Sequence, residues 1–492
     1  MDRLARAFLA DGTEIQYVIT DNPPRGGMKH TYFAPDKSYV VQFFNDKNIA
    51  QNPVLRERIE AITGRYNPTL PESRGGARGN DEKTAQYFSK CFCWPTGIVV
   101  YPEFGIVCPT YPSNFFFDRN SSDILKLAGK DKKSNWFTNK NRKYLKRSEL
   151  GDLRTMMQIS LMLARSIRRM HQAGLAHSDL SFNNVLIDPK TGSCVVIDID
   201  SLVVPGLFPP EVIGTRGYIA PEVLSTLGQS REKRVYPSVY TDLHSLPVLI
   251  YEYLFLRHPL IGPKIYADTA EEDDYLGLGE KATFIENPND TSNRPSDLEV
   301  TIDDMGEHLK KLFIRAFVDG LHEPDLRPTA MEWEMGLVKT WDLLHSCSNP
   351  SCLQRWFVLH DEKNPVCPYC HTRIADTEFL KIKFRTQSRG HKGQWLKTGE
   401  MIAENNTPLG KWHIFSNVFP DEKTEKSIQA YICNYNGKWL MVNKHIKGLI
   451  SPSGNIVPPE QAFYLEDGMV FRFSDEEKSM LAEISVIKNK GV

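Results

Sequence analysis

The segment GLAHSDLSFNNVLID, residues 174–188, followed shortly by CVVIDID, residues 194–200, decides how this chain is read. It sets Asp179 and Asn184 on a polar loop with four residues between them, then runs through two short apolar stretches, joined by a turn, that end at Asp198. Moving a phosphoryl group requires a carboxylate beside the attacking hydroxyl, and an amide with a second carboxylate to hold a divalent cation against the phosphates. Asp179, Asn184 and Asp198 supply that set in that order.

The rest of the chain is compatible with a large globular protein of several domains. It has 492 residues, more than one hydrophobic core usually serves. Basic and acidic residues number 60 and 61, a formal net charge of -1, so nothing global points to nucleic acid or a membrane surface. The apolar run SLPVLIYEYLFL, 245–256, contains Glu252 and is too short for a bilayer, so a buried helix is expected. The N-terminal MDRLARAFLADG has no secretory pattern, and a cytoplasmic location is expected. Nine cysteines make no disulfide framework.

Residues 13–44 carry the β-rich runs TEIQYVI, KHTYFA and SYVVQFF between turn formers, which predicts a three-strand meander. A helix over PVLRERIEAI and the strands TGIVVYP and GIVCPTY complete a small β-rich lobe of five strands and one helix. From residue 152 the pattern is helical: Leu153, Met156, Leu163, Ile167 and Met170 share one face, and Gly174 closes the run. Two charged inserts, the basic 126–147 and the acidic 268–274, read either as solvated loops or, for the basic one, as a docking patch. From about residue 380 short strands and turns alternate, as in a β-sandwich.

Cys347, Cys352, Cys367 and Cys370 form two knuckles separated by 14 residues, the spacing of a structural zinc ribbon. His345, His360 and His371 are alternatives for one ligand. The linker LQRWFVLHDEKNP carries no basic stripe, which makes nucleic acid an unexpected partner.

Further motifs join the first in a consistent order: GTRGYIAPE at 214–222, YTDLHSLPVLIYEYL at 240–254 and DLRPTAMEW at 325–333. Together they resemble the protein-kinase family over residues 1–345, which implies a bilobal kinase-like domain acting on protein substrates with ATP and magnesium. The resemblance implies that Asp179 orients the acceptor hydroxyl and that Asn184 and Asp198 bind Mg²⁺. It also implies that Thr215 contacts Asp179, that Asp242 holds the catalytic-loop backbone, and that Arg327 pairs with Glu222. Departures accompany it: Ser178 and Ser181 stand where basic residues are usual, Asp200 where glycine is usual, and residues 202–214 contain no hydroxyl side chain to phosphorylate.

The strand YVVQFF, 39–44, should carry the phosphate-gripping lysine, but that position is Gln42. GGMKHTYFA, 26–34, resembles the with-no-lysine kinases, whose lysine comes from the neighbouring strand. That resemblance gives the role to Lys29, with Gly26 and Gly27 in the phosphate loop, Gln42 lining the nucleotide site and Glu57, or Glu60 one turn later, as partner.

TPLGKW, KSIQAYICNYNGKWLMVN and LEDGMVFRF resemble, in that order, a forkhead-associated domain, which puts Lys411 and Ser427 at the positions of its phosphothreonine contacts. A plain β-sandwich for protein contacts is the alternative. The expected architecture is a multidomain α+β chain with a kinase-like domain at 1–345, a zinc ribbon at 346–375 and a β-rich domain at 380–492, a β-sandwich that is forkhead-associated-like or plain. The combination resembles the bacterial serine/threonine kinases of the tellurite-resistance-associated phosphorylation triad, which implies a von Willebrand A-type protein and a PP2C-type phosphatase as partners. A pseudokinase scaffold acting through the ribbon and tail is the alternative function.

Overall fold

In the computed structural model, residues 3–489 are described except 22, 24–28, 46–50, 119–123, 205–206, 208–212, 375–376, 389 and 392. The chain divides into two compact units, one of residues 1–151, 155–297 and 312–334, the other of 152–154, 298–311 and 335–492.

The first unit begins with β1 (Arg3–Leu9), β2 (Glu14–Ile19), β3 (Lys29–Phe33) and β4 (Tyr39–Phe44). Next come α1 (Pro53–Thr63), α2 (Glu82–Phe88), β5 (Gly97–Tyr101) and β6 (Gly105–Pro109). The strands form one antiparallel sheet in the order β2-β1-β5-β6-β4-β3. The predicted meander over 13–44 is therefore corrected: β2 and β3 lie on opposite edges, because β2 folds back on β1, a strand that the sequence reading passed over. RLARAFL lacks clean alternation, and its exposed arginines obscure the buried Ala7.

Strand alternation assigns the faces of β3 and β4. Tyr32, Val41 and Phe43 pack with Ala7, Tyr17, Val99 and Val107 on one side. Lys29, Thr31, Phe33, Val40 and Gln42 line a cavity on the other. Gly105, opposite Phe43, permits the close β4–β6 approach, since a Cβ there would lie 2.4 Å from the Gln42 carbonyl oxygen. The α1 helix, capped by the Asn52 side chain on the Val54 and Leu55 amides, buries Leu55 and Ile59 in the core shared with Val40 and Ile106.

After the short α3 (Asn135–Thr138) comes α4 (Leu153–Gln172), which buries the five apolar residues of its predicted face. Gly174 at φ +75° follows as expected. The hairpin of β7 (Val185–Asp188) and β8 (Ser193–Val196), with α5 (Pro221–Leu224) and the buried α6 (Val239–Phe255), completes the site's scaffold. The acidic 268–274 stretch is part of a helix, α7 (Ala270–Leu278), rather than a loop; Thr269 caps it and its acidic residues sit in the first turn. Two further helices, α8 (Gly306–Ile314) and α9 (Ala330–Trp341), run across the unit boundaries. Among the described residues no helix is long and apolar enough to cross a membrane.

The second unit pairs β9 (Leu344–Ser346) with β10 (Trp356–Val358). It continues with β11 (Thr377–Gln387), β12 (Trp395–Ala403), β13 (Thr407–Leu409), α10 (Lys411–Ile414), β14 (Ala430–Tyr435) and β15 (Lys438–Asn443). β16 (Ala462–Leu465), β17 (Val470–Arg472) and β18 (Leu481–Asn489) follow. Two four-stranded sheets, β12-β11-β18-β17 and β13-β14-β15-β16, share one core that includes Ile382, Phe384, Ile432, Trp439, Met441 and Ile484.

Candidate active site and cysteine cluster

The loop between α4 and β7 is held by backbone and histidine contacts. The His177 amide donates to Asp242 Oδ2 at 2.8 Å, and its ring Nε2 lies 3.0 Å from the Ile197 carbonyl. Ile197 N donates to the Asn184 carbonyl at 3.0 Å, so the residues before Asp198 are tied to those around Asp179. Asn184 Nδ2 donates to the Asp179 carbonyl and to Asp179 Oδ2, at 2.8 and 2.9 Å, which leaves its amide oxygen available for a cation. Thr215 Oγ1 donates to Asp179 Oδ1 at 2.8 Å and itself receives the Ser181 hydroxyl at 3.1 Å. Ser181 thus supports the Thr215–Asp179 contact. Gly214, at φ +126°, turns the chain into Thr215 where a Cβ would press Ile219 at 3.0 Å. Arg327, buried, makes a bidentate pair with Glu222 at 2.8 Å on both arms.

Lys29 is buried on β3, and its ammonium pairs with Asp198 Oδ1 at 3.2 Å and closely with Asp200 Oδ1. Burial lowers the lysine's pKa, but the Asp200 and Asp198 carboxylates outweigh it and hold the ammonium charged well above the ordinary lysine range. Burial pushes Asp198 up, yet the Lys29 charge more than offsets this and keeps it below the usual carboxylate range. Gln42 lies opposite Thr31 in the sheet and donates to its hydroxyl at 3.2 Å.

The expectation for Glu57 is corrected by the geometry. Glu57 and Glu60 are both exposed on α1, and the acidic partners of Lys29 among the described residues are Asp198 and Asp200. Gly26 and Gly27 lie outside the described residues. Lys29, Gln42, Asn184, Asp198 and Asp200 together line a cavity of about 700 Å³. A carboxylate and an amide oxygen on one wall fit a hard cation such as Mg²⁺. Asp179 lies behind Asn184, which its side chain contacts.

The cavity has members that the sequence reading missed. Asp200 is one, noticed only as a departure from glycine. Lys133 is another, from the basic insert: its ammonium donates to Asn183 at 3.1 Å and lines the same cavity. The insert is no loose loop, because Lys132 forms a buried pair with Asp188 at 2.8 Å and the Lys132 carbonyl accepts the Ile187 amide. The periodicity of 126–147 gives no sign of this, since the anchors are scattered: the buried ion pair, isolated bridges of Lys133 to Leu186 and Asp131 to Phe116, and the buried Leu127, Phe137 and Leu145.

Beside the catalytic loop, Phe182 packs on Tyr218, whose hydroxyl donates to Glu252 at 2.5 Å. Burial raises the Glu252 carboxyl to about 7, with the Tyr218 bond opposing it. The folded state therefore keeps a proton that the unfolded chain releases above about 4.5, and stability falls as pH rises through the window from about 4.5 to 7. The swing is on the order of 3 kcal/mol. Urea midpoints measured across that window should slope less for Glu252→Gln than for the wild type; parallel slopes would refute the assignment.

In the second unit the Sγ atoms of Cys347, Cys352, Cys367 and Cys370 all lie within 4.8 Å of one another. Cys347–Cys370 and Cys352–Cys367 stand 3.6 and 3.9 Å apart. A tetrahedral zinc with sulfur ligands at about 2.3 Å has edges of about 3.8 Å, so the four thiols fit such an ion. His360 and His371 are exposed, and His345 Nδ1 pairs with Glu404. In the tail, Lys411 and Ser427 are both engaged by Glu425, the lysine at 2.8 Å and the hydroxyl at 2.8 Å.

A search of curated proteins returns no match. Among solved structures, one titled "Crystal structure of Toxoplasma gondii specific rhoptry antigen kinase domain" is similar at a TM-score of 0.39 and 15% identity, covering 69% of this chain and 86% of that one. By sequence, residues 135–333 match the protein kinase domain, a span that holds Asp179, Asn184 and Asp198 and stops short of Lys29.

Proposed function

We propose that the chain is a serine/threonine protein kinase that uses Mg-ATP, with the catalytic part at 1–345 arranged as two lobes around the cavity. The observation that carries this reading is the convergence of Lys29, Asn184 and Asp198 on one cavity despite Gln42 at the usual lysine position. In this reading Asp179 accepts the proton of the attacking hydroxyl as the hydroxyl oxygen bonds the γ-phosphorus and the bond from that phosphorus to the β–γ bridging oxygen breaks, with ADP as the leaving group, and Lys29 neutralises charge on the phosphates. Asn184 and Asp198 would hold magnesium, which supplies charge neutralisation along the nucleotide's phosphates. The module at 346–375 would hold one structural zinc, and the β-rich tail at 380–492 would make protein contacts. A phosphothreonine site at Lys411 and Ser427 would first require Glu425 to leave both residues. Resemblance of the whole arrangement supports a place in a bacterial tellurite-resistance-associated system, in the cytoplasm, with a von Willebrand A-type protein and a PP2C-type phosphatase as partners.

The test is labelled-ATP transfer by Lys29→Ala and Gln42→Ala. A charge-assisted contact to phosphate contributes about 1.5–3 kcal/mol, roughly ten- to a hundredfold, against about 1 for a neutral amide. Lys29→Ala should therefore cost far more activity, and adding Gln42→Lys should restore part of it by returning the charge to β4. Full transfer and unchanged ATP affinity in Lys29→Ala would instead favour a pseudokinase scaffold.

A further inference from the structure

We propose that Asp200 is the residue that positions Lys29, in place of a glutamate on the α1 helix. The inference rests on the kinase reading and deepens it. Asp198 adopts φ +61°, ψ +46°, and a short 3-10 turn over Ile199–Ser201 follows. This local geometry brings the carboxylates two residues apart onto one ammonium. The two acids differ in surroundings: the Asp198 side chain is 43% exposed and that of Asp200 only 9%. A carboxylate open to the cavity can serve a cation, whereas one enclosed against a buried lysine cannot leave without stranding a charge. Asp200 therefore holds the lysine while Asp198 remains available for magnesium. A second consequence concerns regulation. Both glutamates offered by α1 are exposed, so an ion pair between strand and helix is not what sets the lysine, and transfer should not depend on a swing of that helix.

The experiment has an activity arm and an unfolding arm. In the first, Asp200→Asn should lower transfer at least tenfold and raise the magnesium concentration for half-maximal rate, because Lys29 then draws on Asp198 alone. Asp200→Glu, which keeps the charge, should recover part of both. A purely structural role would leave the magnesium requirement where it was, and that result overturns the proposal. Glu57→Gln is the rival arm: loss of transfer there, with Asp200→Asn active, also overturns it.

In the second arm, a double-mutant cycle on urea unfolding compares Lys29→Met with Asp200→Asn. The double variant should be destabilised by less than the sum of the singles, since Lys29→Met leaves the buried Asp200 carboxylate without its ammonium and Asp200→Asn leaves the buried ammonium only the more exposed Asp198, whereas the pair removes both buried charges together. Additive effects overturn the proposal. If Asp200→Asn alone does not fold, recovery of folding in Lys29→Met/Asp200→Asn supports it, and failure of that pair to fold counts against it. The unfolding arm needs no turnover, so it decides the ion pair even if the wild-type chain transfers no phosphate.

Discussion

Asp179→Ala and Asp198→Ala are each expected to abolish phosphate transfer, while only Asp198→Ala strongly weakens binding of Mg-ATP. The two carboxylates are separated by their neighbours. Asp179 is fastened by Thr215 and Asn184, and in the proposed kinase reading a carboxylate so fixed would act on the acceptor hydroxyl through orientation and proton uptake, typically a factor of about 10² to 10⁴. Asp198 is the half-exposed acid of the cavity wall, and in the proposed kinase reading its loss would remove a magnesium ligand. The folded state should survive both changes: Asn184 keeps its bond to the residue-179 carbonyl, and Lys29 keeps Asp200. Single-turnover transfer, equilibrium nucleotide binding with and without magnesium, and urea midpoints separate these effects. Residual activity equal to wild type in both variants would rule out the enzyme assignment.

Local motifs were legible in the sequence wherever side-chain chemistry and spacing are fixed together. The Asp242 contact to the His177 amide, the Thr215 contact to Asp179 and the Arg327–Glu222 pair all appear as the motifs imply. What escaped were features decided by long-range pairing. The strands at 13–44 are where periodicity predicts, but periodicity says nothing about which strand is a neighbour, so β2 and β3 were wrongly joined in a meander. Helix position alone points to Glu57, and the rotation of α1 that buries Leu55 and Ile59 turns it to solvent. Asp200 and Lys133 were visible as charged residues, yet their value depends on a left-handed residue at 198 and on the buried Lys132–Asp188 pair, neither of which has a one-dimensional signature.

The purified chain should carry one zinc, and Cys367→Ser should loosen residues 346–372 without unfolding the catalytic part. Cys347 and Cys352 lie between the short strands β9 and β10 and Cys367 and Cys370 follow β10, so four thiols within 4.8 Å of one another are carried by a stretch with little regular structure, which a metal would tie together. Apparent zinc-binding energies in small modules are about 10–16 kcal/mol, and losing a ligand at the buried Cys367 should cost a large part of that. The damage should spread in one direction. Glu404 accepts the Ser346 amide and hydroxyl at 2.7 and 2.8 Å and pairs with His345, and the Ile402 amide donates to the Asp342 carbonyl at 2.7 Å. The β12–β13 turn should therefore lose amide protection together with the knuckles. The core around Ile432, Trp439 and Met441 contains none of the four cysteines and should keep its protection, as should α4 and α6. Metal analysis of fresh reduced protein, limited proteolysis and hydrogen exchange on the full chain would show this pattern. Protein without zinc, or a Cys367→Ser variant whose knuckles exchange like wild type, would mean that the four thiols are held together by the fold alone.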